Sequence, residues 1–138
     1  MGNYTLYITK KDCDRLRRYI VTAGPQHSRD RANVEALDKK IRLAKIVDSR
    51  TISSNVITMN SRARLKDIAT KEEITVTLVY PDDSDIDNGR LSVLSPIGTV
   101  ILGHAQGDVV EWRGYSRTRQ LWVREICYQP EAAGNYDV

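Results

Sequence analysis

The spacing of apolar residues changes near residue 50, and this change constrains the fold more than any other feature. Before it, apolar residues recur at intervals of three and four, as at Val34, Leu37 and Ile41, which is typical of one face of a helix. After it, β-branched residues come in short runs bounded by Pro, Gly, Asp or Asn, which is typical of strands. We therefore predict an α+β chain with domains at residues 1–50 and 51–138.

The first segment predicts a short antiparallel helical hairpin, packed in the manner of a coiled coil. Thr9 and Asp12 form a capping-box pattern, so the first helix is expected from about Lys10 to Thr22. Gly24-Pro25 ends it, and a second helix of about 17 residues begins near Asp30. Its lysines and arginines are expected in solvent, among them Lys39, Lys40, Arg42 and Lys45. Helices of this length extend only about 20 to 25 Å.

The second segment predicts an antiparallel sheet with one helix. Ser95 as a cap, Pro96 at the first helical position and Gly103 as a terminator predict the helix. Turns at 87–90 and 114–118 predict antiparallel hairpins. In the last expected strand, Leu121, Val123 and Cys127 are predicted to face one way and Ile126 the other. The five expected strands are Val56–Met59, Ile74–Tyr80, Leu91–Leu94, Val109–Trp112 and Leu121–Tyr128.

Charge is distributed unevenly along the chain. Residues 1–50 carry twelve Lys/Arg and six Asp/Glu, net +6, whereas residues 51–138 carry nine and twelve, net −3, which together give the total of +3. A basic hairpin with tyrosines nearby is compatible with weak nucleic-acid binding. A charged helix face is nevertheless more often a solvated face, so direct nucleic-acid contact is the secondary interpretation. The tyrosines concerned are Tyr4, Tyr7 and Tyr19.

The sequence lacks the common catalytic and cofactor motifs. There is no phosphate-binding glycine loop, no HExxH and no Gly-x-Ser-x-Gly elbow. Cys13 and Cys127 are isolated and predict reduced thiols, and the only histidines are His27 and His104. We therefore predict no catalytic residues, no metal and no cofactor. No apolar run is long enough to span a bilayer and no signal peptide is evident, so a cytoplasmic protein is expected.

Two local features invite a chemical interpretation. The run PDDSDIDNG at 81–89 resembles a calcium loop, but its glycine is one position late and Leu94 stands where the bidentate Glu belongs, so a solvated loop is preferred. His104 could act as a general base, but no partner has catalytic spacing, and a surface histidine at a helix end is preferred.

Several motifs together resemble the Gre family of bacterial transcript-cleavage factors. They follow the helical hairpin and include Val56 to Ser61, Thr77 to Pro81, Leu91 to Gly98 and Gly107-Asp108. The closing run from Tyr128 to Tyr136, with the short hairpin, is similar to one branch of that family. The resemblance implies an FKBP-like second domain and RNA polymerase core as the partner, bound at its secondary channel.

The resemblance also implies a test for cleavage activity. Cleaving members carry acidic residues at the tip of a long hairpin, where they help hold a second magnesium ion. Paired carboxylates are needed because two cations must be brought close together. The tip here carries only one carboxylate, flanked by arginines, on a shorter hairpin, so we predict no transcript cleavage; an active cleavage factor is the alternative. The tip residues concerned are His27, Arg29, Asp30 and Arg31.

The docking surface is the part of the family pattern that remains. The segment matching the family's polymerase-contacting turn is Ser95-Pro96-Ile97-Gly98. We expect it to present an apolar side chain and free backbone amides to a helix of the partner. The FKBP-like fold also suggests prolyl isomerase activity, but that activity needs an aromatic pocket, and the two tryptophans, Trp112 and Trp122, lie on predicted strands. Self-association through the hairpin stripe stays open.

Overall fold

The computed structural model describes residues 4–23, 31–113 and 118–138. Within them lie three α-helices and seven strands. Their order is β1 (Tyr7–Thr9), α1 (Lys10–Ala23), α2 (Arg31–Leu43), β2 (Lys45–Val47), β3 (Arg62–Asp67), β4 (Glu73–Val79), β5 (Arg90–Ser92), α3 (Pro96–Ile101), β6 (Val109–Arg113) and β7 (Thr118–Tyr128). The α+β class is confirmed, whereas the FKBP-like description and the helical hairpin stay predictions.

The larger sheet has five strands in the order β5-β4-β3-β7-β6. Its pairs are antiparallel except β4 and β5, which run parallel. The antiparallel hairpin predicted at Asp87–Arg90 is therefore wrong. After β4 the chain instead passes through two 3-10 turns, at Pro81–Asp83 and Ile86–Asn88, and turns back so that β5 begins beside Thr77 of β4. The β6–β7 pair confirms the other predicted hairpin, whose turn residues lie outside the described part.

The predicted strand Val56–Met59 is wrong, and the strand that takes the central position is β3. Segment 56–59 is deeply buried, but the Ile57 amide bonds to the carbonyl oxygen of His104 and Ile57 accepts from the Gly103 amide, so only an isolated bridge forms. Strand β3 has the sequence RARLKD, in which every second side chain is buried. Its charged residues weaken the compositional signal, but its alternation is that of a half-buried strand.

Strand β7 buries the predicted face only in part. Leu121 and Val123 are buried as expected, but Ile126 packs on the core in place of Cys127. The cause is an irregularity in the β3–β7 pairing, which passes from Val123 to Glu125 on consecutive β3 residues. One extra residue in a strand inverts the inward face beyond it.

Both helices begin close to where the sequence predicts. The Asp12 amide donates to Oγ1 of Thr9 over 3.1 Å, which confirms the cap of α1. Helix α2 ends at Leu43, earlier than expected, because Lys45–Val47 forms a parallel pair with Tyr7–Thr9 that the sequence did not predict. The apolar stripe of α2 is buried as predicted.

The helices and the larger sheet share one hydrophobic cluster. Cys13 and Leu16 from α1 and Leu37 and Ile41 from α2 belong to the same cluster as Leu65 of β3. The division into domains at residue 50 stays a prediction. No helix among the described residues is long and apolar enough to cross a membrane.

Candidate functional site

The turn Ser95–Gly98 begins α3 and is held by its own side chains. Oγ of Ser95 accepts a hydrogen bond from the Gly98 amide at 3.1 Å and donates to the carbonyl oxygen of Ser92 at 2.6 Å. Oγ1 of Thr99 donates to the carbonyl oxygen of Val93 at 2.7 Å. These bonds fix the turn on the end of β5, so its shape is defined before any partner arrives.

Less of this turn is exposed to a partner than the sequence suggests. Pro96 is exposed, Ile97 is half-buried against the core, and Gly98 is buried. The expected free amides are largely absent, because Ser95 accepts from both Gly98 and Thr99. A partner would therefore meet mainly the Pro96 ring and part of the Ile97 side chain.

Gly98 is at a position where a side chain does not fit. A Cβ atom there would lie 2.1 Å from the carbonyl oxygen of Ser92 and 2.9 Å from Oγ of Ser95. The close approach of α3 to the end of β5 thus depends on glycine.

The opposite end of α3 is held by a residue that the sequence analysis placed in solvent. Nζ of Lys40 donates to the carbonyl oxygens of Thr99 at 2.7 Å, Val100 at 2.7 Å and Leu102 at 2.8 Å. The prediction that Lys40 is a solvated residue is therefore wrong. Burial of its ammonium group lowers the pKa of Lys40 to about 7. Periodicity could not reveal this contact, because the three carbonyl oxygens belong to residues 59 to 62 positions further along the chain.

A groove of about 570 Å³ lies beside Lys40, between α2, α3 and β6. His104 lines it and is buried, so the predicted surface histidine is wrong. Nδ1 of His104 lies 3.0 Å from Oδ2 of Asp108, and the Tyr4 ring packs edge-on against the imidazole with centroids 5.3 Å apart. Burial, and secondarily the charge of Lys40, lowers the pKa of His104 to about 4, so the ring is neutral at physiological pH.

Another buried ionisable group lies at the start of α1. Asp12 accepts hydrogen bonds from the Met59 amide and the Tyr80 hydroxyl. Burial raises the pKa of Asp12 to about 6. The capping pattern identified this residue, but not its second role in joining α1 to segment 56–59.

Two of the three tyrosines considered for nucleic-acid contact, Tyr4 and Tyr19, already contact other groups of the protein. Tyr19 stacks on Tyr80 with ring centroids 5.4 Å apart and donates to Asp82 at 3.0 Å. The Tyr4 hydroxyl accepts from the Val109 amide at 3.2 Å. Two of the three rings are therefore already packed against protein groups.

The structure gives no metal chemistry to the acidic loop. Asp82, Asp83, Asp85 and Asp87 are exposed, and no group of three or more His, Cys, Asp or Glu in the described part of the chain could hold a metal ion. Of the four predicted tip residues, His27, Arg29 and Asp30 lie outside the described residues. Arg31 opens α2, is exposed and pairs with Glu35 at 3.4 Å. Both cysteines are free thiols, as predicted.

Comparison with known proteins identifies the family. The family described as transcription elongation factor, GreA/GreB, C-term, matches residues 52–128. The chain belongs to the GreA/GreB family, as the motifs between Val56 and Asp108 indicated, and is related to transcription elongation factors.

Individual relatives refine this assignment. The chain is 38% identical over 138 residues to the regulator of nucleoside diphosphate kinase of Escherichia coli (strain K12), covering 99% of this chain and 98% of the relative. It is 29% identical over 96 residues to transcription elongation factor GreA of Thermodesulfovibrio yellowstonii, covering 70% of this chain and 61% of that protein. The solved structure of a transcription elongation factor GreA/GreB from Nitrosomonas europaea superposes with a TM-score of 0.75 at 31% identity, covering 90% of this chain and all of that chain.

Proposed function

We propose that this protein is a non-catalytic regulator that binds RNA polymerase core at the secondary channel, competes there with longer Gre factors and does not cleave transcripts. Family membership and the full-length similarity to a regulator support a role in transcription. The docking segment in this proposal is Ser95–Gly98, at which Pro96 is exposed at the start of a firmly held helix.

The observation that carries the proposal is how far α1 stays in contact with the rest of the molecule. Tyr19, in the third turn of α1, still contacts Tyr80 and Asp82. One further helical turn, residues 20–23, precedes Gly24-Pro25 in the sequence, a pair that disfavours continuation of a helix. A helix of 14 residues spans about 21 Å, and most of that length lies against the body. Little of α1 is left to project into a channel.

The charges near the tip support the same conclusion. Between Gly24 and Arg31 the sequence has one carboxylate, Asp30, between Arg29 and Arg31. Recruiting a second magnesium ion requires negative charge, because the two cations repel each other at close range. Adjacent guanidinium groups oppose such binding. The proposed mode of action is therefore occupation of the channel entrance by the sheet and α3, with no chemical step.

An effect on nucleoside diphosphate kinase, to which the name of the E. coli relative refers, is assigned in this proposal to gene expression. The sequence has no phosphate-binding loop that would support direct nucleotide handling. The basic helices leave weak nucleic-acid contact as a secondary element of the same proposal.

The test is a competition on purified bacterial core RNA polymerase stalled on a backtracked transcript. A cleaving Gre factor is added at fixed concentration and this protein is titrated against it. We expect Gre-dependent RNA cleavage to fall as this protein displaces the factor, and no cleavage when it is added alone. Shortening of the transcript by the pure protein would identify an active cleavage factor instead. Unchanged Gre cleavage at saturation would rule out competition.

A further inference from the structure

Lys40 completes the hydrogen bonding at the C-terminal end of α3. The last carbonyl groups of a helix have no partners within it. Here the carbonyl oxygen of Gly98 accepts from the Leu102 amide and that of Ile101 from the His104 amide. The remaining three carbonyl oxygens of this end, those of Thr99, Val100 and Leu102, all accept from the ammonium group of Lys40.

This arrangement uses every donor that a lysine has. An ammonium group carries three N–H bonds and no acceptor, and each is directed to one carbonyl oxygen at 2.7 to 2.8 Å. Hydrogen bonds from a charged donor are the stronger kind, and the positive charge also complements the negative end of the helix. The bonds join α2 to α3, two elements far apart in sequence.

The two ends of α3 are held from different parts of the molecule. Ser95 and Thr99 attach the N-terminal end to the loop after β5. Lys40 attaches the C-terminal end to α2. A helix of six residues has too few internal bonds to stay fixed by itself. Its orientation, and with it the exposed Pro96, therefore depends on both attachments.

We propose that Lys40 is a positioning residue for polymerase binding: by capping the C-terminal carbonyl groups of α3 it fixes the helix in the orientation that presents Ser95–Gly98 to the partner. The inference rests on the proposed function for its binding readout. Lys40 acts through α3 in this proposal, because all three N–H bonds of its ammonium group are taken by backbone carbonyl oxygens.

The charge state of Lys40 gives the inference a signature that packing alone would not produce. Its pKa is lowered to about 7 by burial, so its proton is lost close to neutral pH. A neutral amine has one N–H fewer and turns a lone pair toward carbonyl oxygens, which weakens the attachment. The titratable groups around it are those of the same groove, Tyr4, His104 and Glu111, with Asp108 behind the imidazole. His104 stays neutral between pH 7 and 8 because its pKa is about 4.

The experiment compares Lys40→Met with Lys39→Met, which alters an exposed lysine on the same helix. Affinity for core RNA polymerase is measured at pH 7.0 and 8.0, and hydrogen exchange of the α3 amides is followed in the free proteins. We expect Lys40→Met to bind about tenfold more weakly at pH 7.0 and to exchange its α3 amides faster, with Lys39→Met within about twofold of wild type. The ratio of wild-type affinity to Lys40→Met affinity should fall by about fivefold when the pH is raised from 7.0 to 8.0.

Each outcome decides the inference. A folded Lys40→Met that binds and exchanges like wild type overturns it, and so does a wild-type pH profile parallel to that of the variant. If wild type does not bind polymerase at all, the proposed function fails, and the exchange of the α3 amides alone decides whether Lys40 fixes the helix. If Lys40→Met does not fold, hydrogen exchange of the α3 amides is compared in the wild-type protein at pH 7.0 and 8.0 instead. The rates are corrected for intrinsic base catalysis, and unchanged protection of these amides overturns the inference.

Discussion

The carboxylate of Asp12 accepts a hydrogen bond of 3.1 Å from the backbone amide of Met59, which ties the first turn of α1 to the buried segment 56–59. The Tyr80 hydroxyl donates to the other carboxylate oxygen at 3.3 Å. The site is nevertheless unfavourable for a charge. Burial is the main cause that raises the pKa of Asp12 to about 6, and the negative charge of Glu131 adds to it.

Replacing Asp12 with Asn tests the cost of this buried charge. The native pKa of about 6 lies above the ordinary 3.8, so the folded state binds more protons between these values and gains stability as pH falls through them. Asn carries no charge and can still accept from the Met59 amide. We therefore compare the free energies of unfolding of wild type and Asp12→Asn, measured with urea. The value for wild type minus that for Asp12→Asn should rise by up to about 3 kcal/mol when the pH is lowered from 7.5 to 4.

Asp14→Asn is the matched control, because Asp14 is exposed on the same helix. Its difference from wild type should stay nearly constant over this pH range. A constant difference for Asp12→Asn as well would show that the Asp12 carboxylate is not destabilised by burial. Working with differences between proteins matters here, because His104 titrates in an overlapping range in all of them.

His104→Gln is expected to show the opposite sign. The pKa of His104 is lowered from 6.5 to about 4, mainly by burial, so the unfolded chain binds more protons between these values. Wild type should therefore gain up to about 3 kcal/mol relative to His104→Gln as pH rises from 4 to 7. Urea unfolding at several pH values measures this. If the free energy of unfolding of wild type minus that of His104→Gln falls or stays constant between pH 4 and pH 7, His104 is not a buried neutral imidazole.

Much of the fold could be predicted from local patterns. Capping by Thr9 and Ser95, the α2 stripe and four of the five expected strands are confirmed, because each depends on signals within a few residues. Strand β3 was missed because its arginines and lysine lower its β propensity, although its buried residues alternate. Segment 56–59 has the composition of a strand, but its backbone bonds are taken by the loop after α3 and by side chains.

The local structure of the candidate site was predictable, but its support was not. The motif Ser95–Gly98 is the proposed docking turn, and Ser95 caps α3 as expected. The role of Lys40 depends on a contact between residues 59 to 62 positions apart in sequence. Helical periodicity predicts that a lysine beside an apolar stripe is in solvent. Only the tertiary structure shows the three carbonyl oxygens to which its ammonium group donates. The neutral state of His104 has the same origin, because burial comes from α2 and β6 packing around it.

Gly98→Ala tests the close approach of α3 to the end of β5. A methyl group at this position would lie 2.1 Å from a backbone carbonyl oxygen, which cannot move without displacing the loop. Overpacking of this kind costs about 1–3 kcal/mol, more than the helix propensity that Ala adds. Urea unfolding should show the loss, and binding to polymerase should weaken with it. Pro96→Ala, at an exposed position, is the control and should cost only about 0.4–1 kcal/mol, from the greater freedom of its unfolded chain. Equal stability of the two variants would refute the close approach.

Introducing a negative charge at the proposed docking turn tests whether this turn binds polymerase. Pro96→Glu places a carboxylate on the exposed ring position, and Ile97→Glu places one on the half-buried neighbour. We expect each to weaken binding to core RNA polymerase by at least about tenfold, because a charge in an apolar contact must be desolvated. The decisive variant is Pro96→Glu, since its side chain is outside the core and its thermal unfolding should match wild type. Affinity is measured by titration of labelled protein with the core enzyme.

Ile68→Glu is the matched control for these variants. Ile68 is 45% exposed and lies in the turn between β3 and β4, beside the first residue of β4. Ile68 is thus at the end of the sheet where β4 begins. Because β5 runs parallel to β4, both strands finish at the other end, and Ser95 follows that end. A partner bound at α3 should therefore not contact Ile68, and Ile68→Glu should keep wild-type affinity. If Pro96→Glu also keeps wild-type affinity, the docking surface lies elsewhere on the protein, because a carboxylate placed in an apolar contact would have to be desolvated on binding.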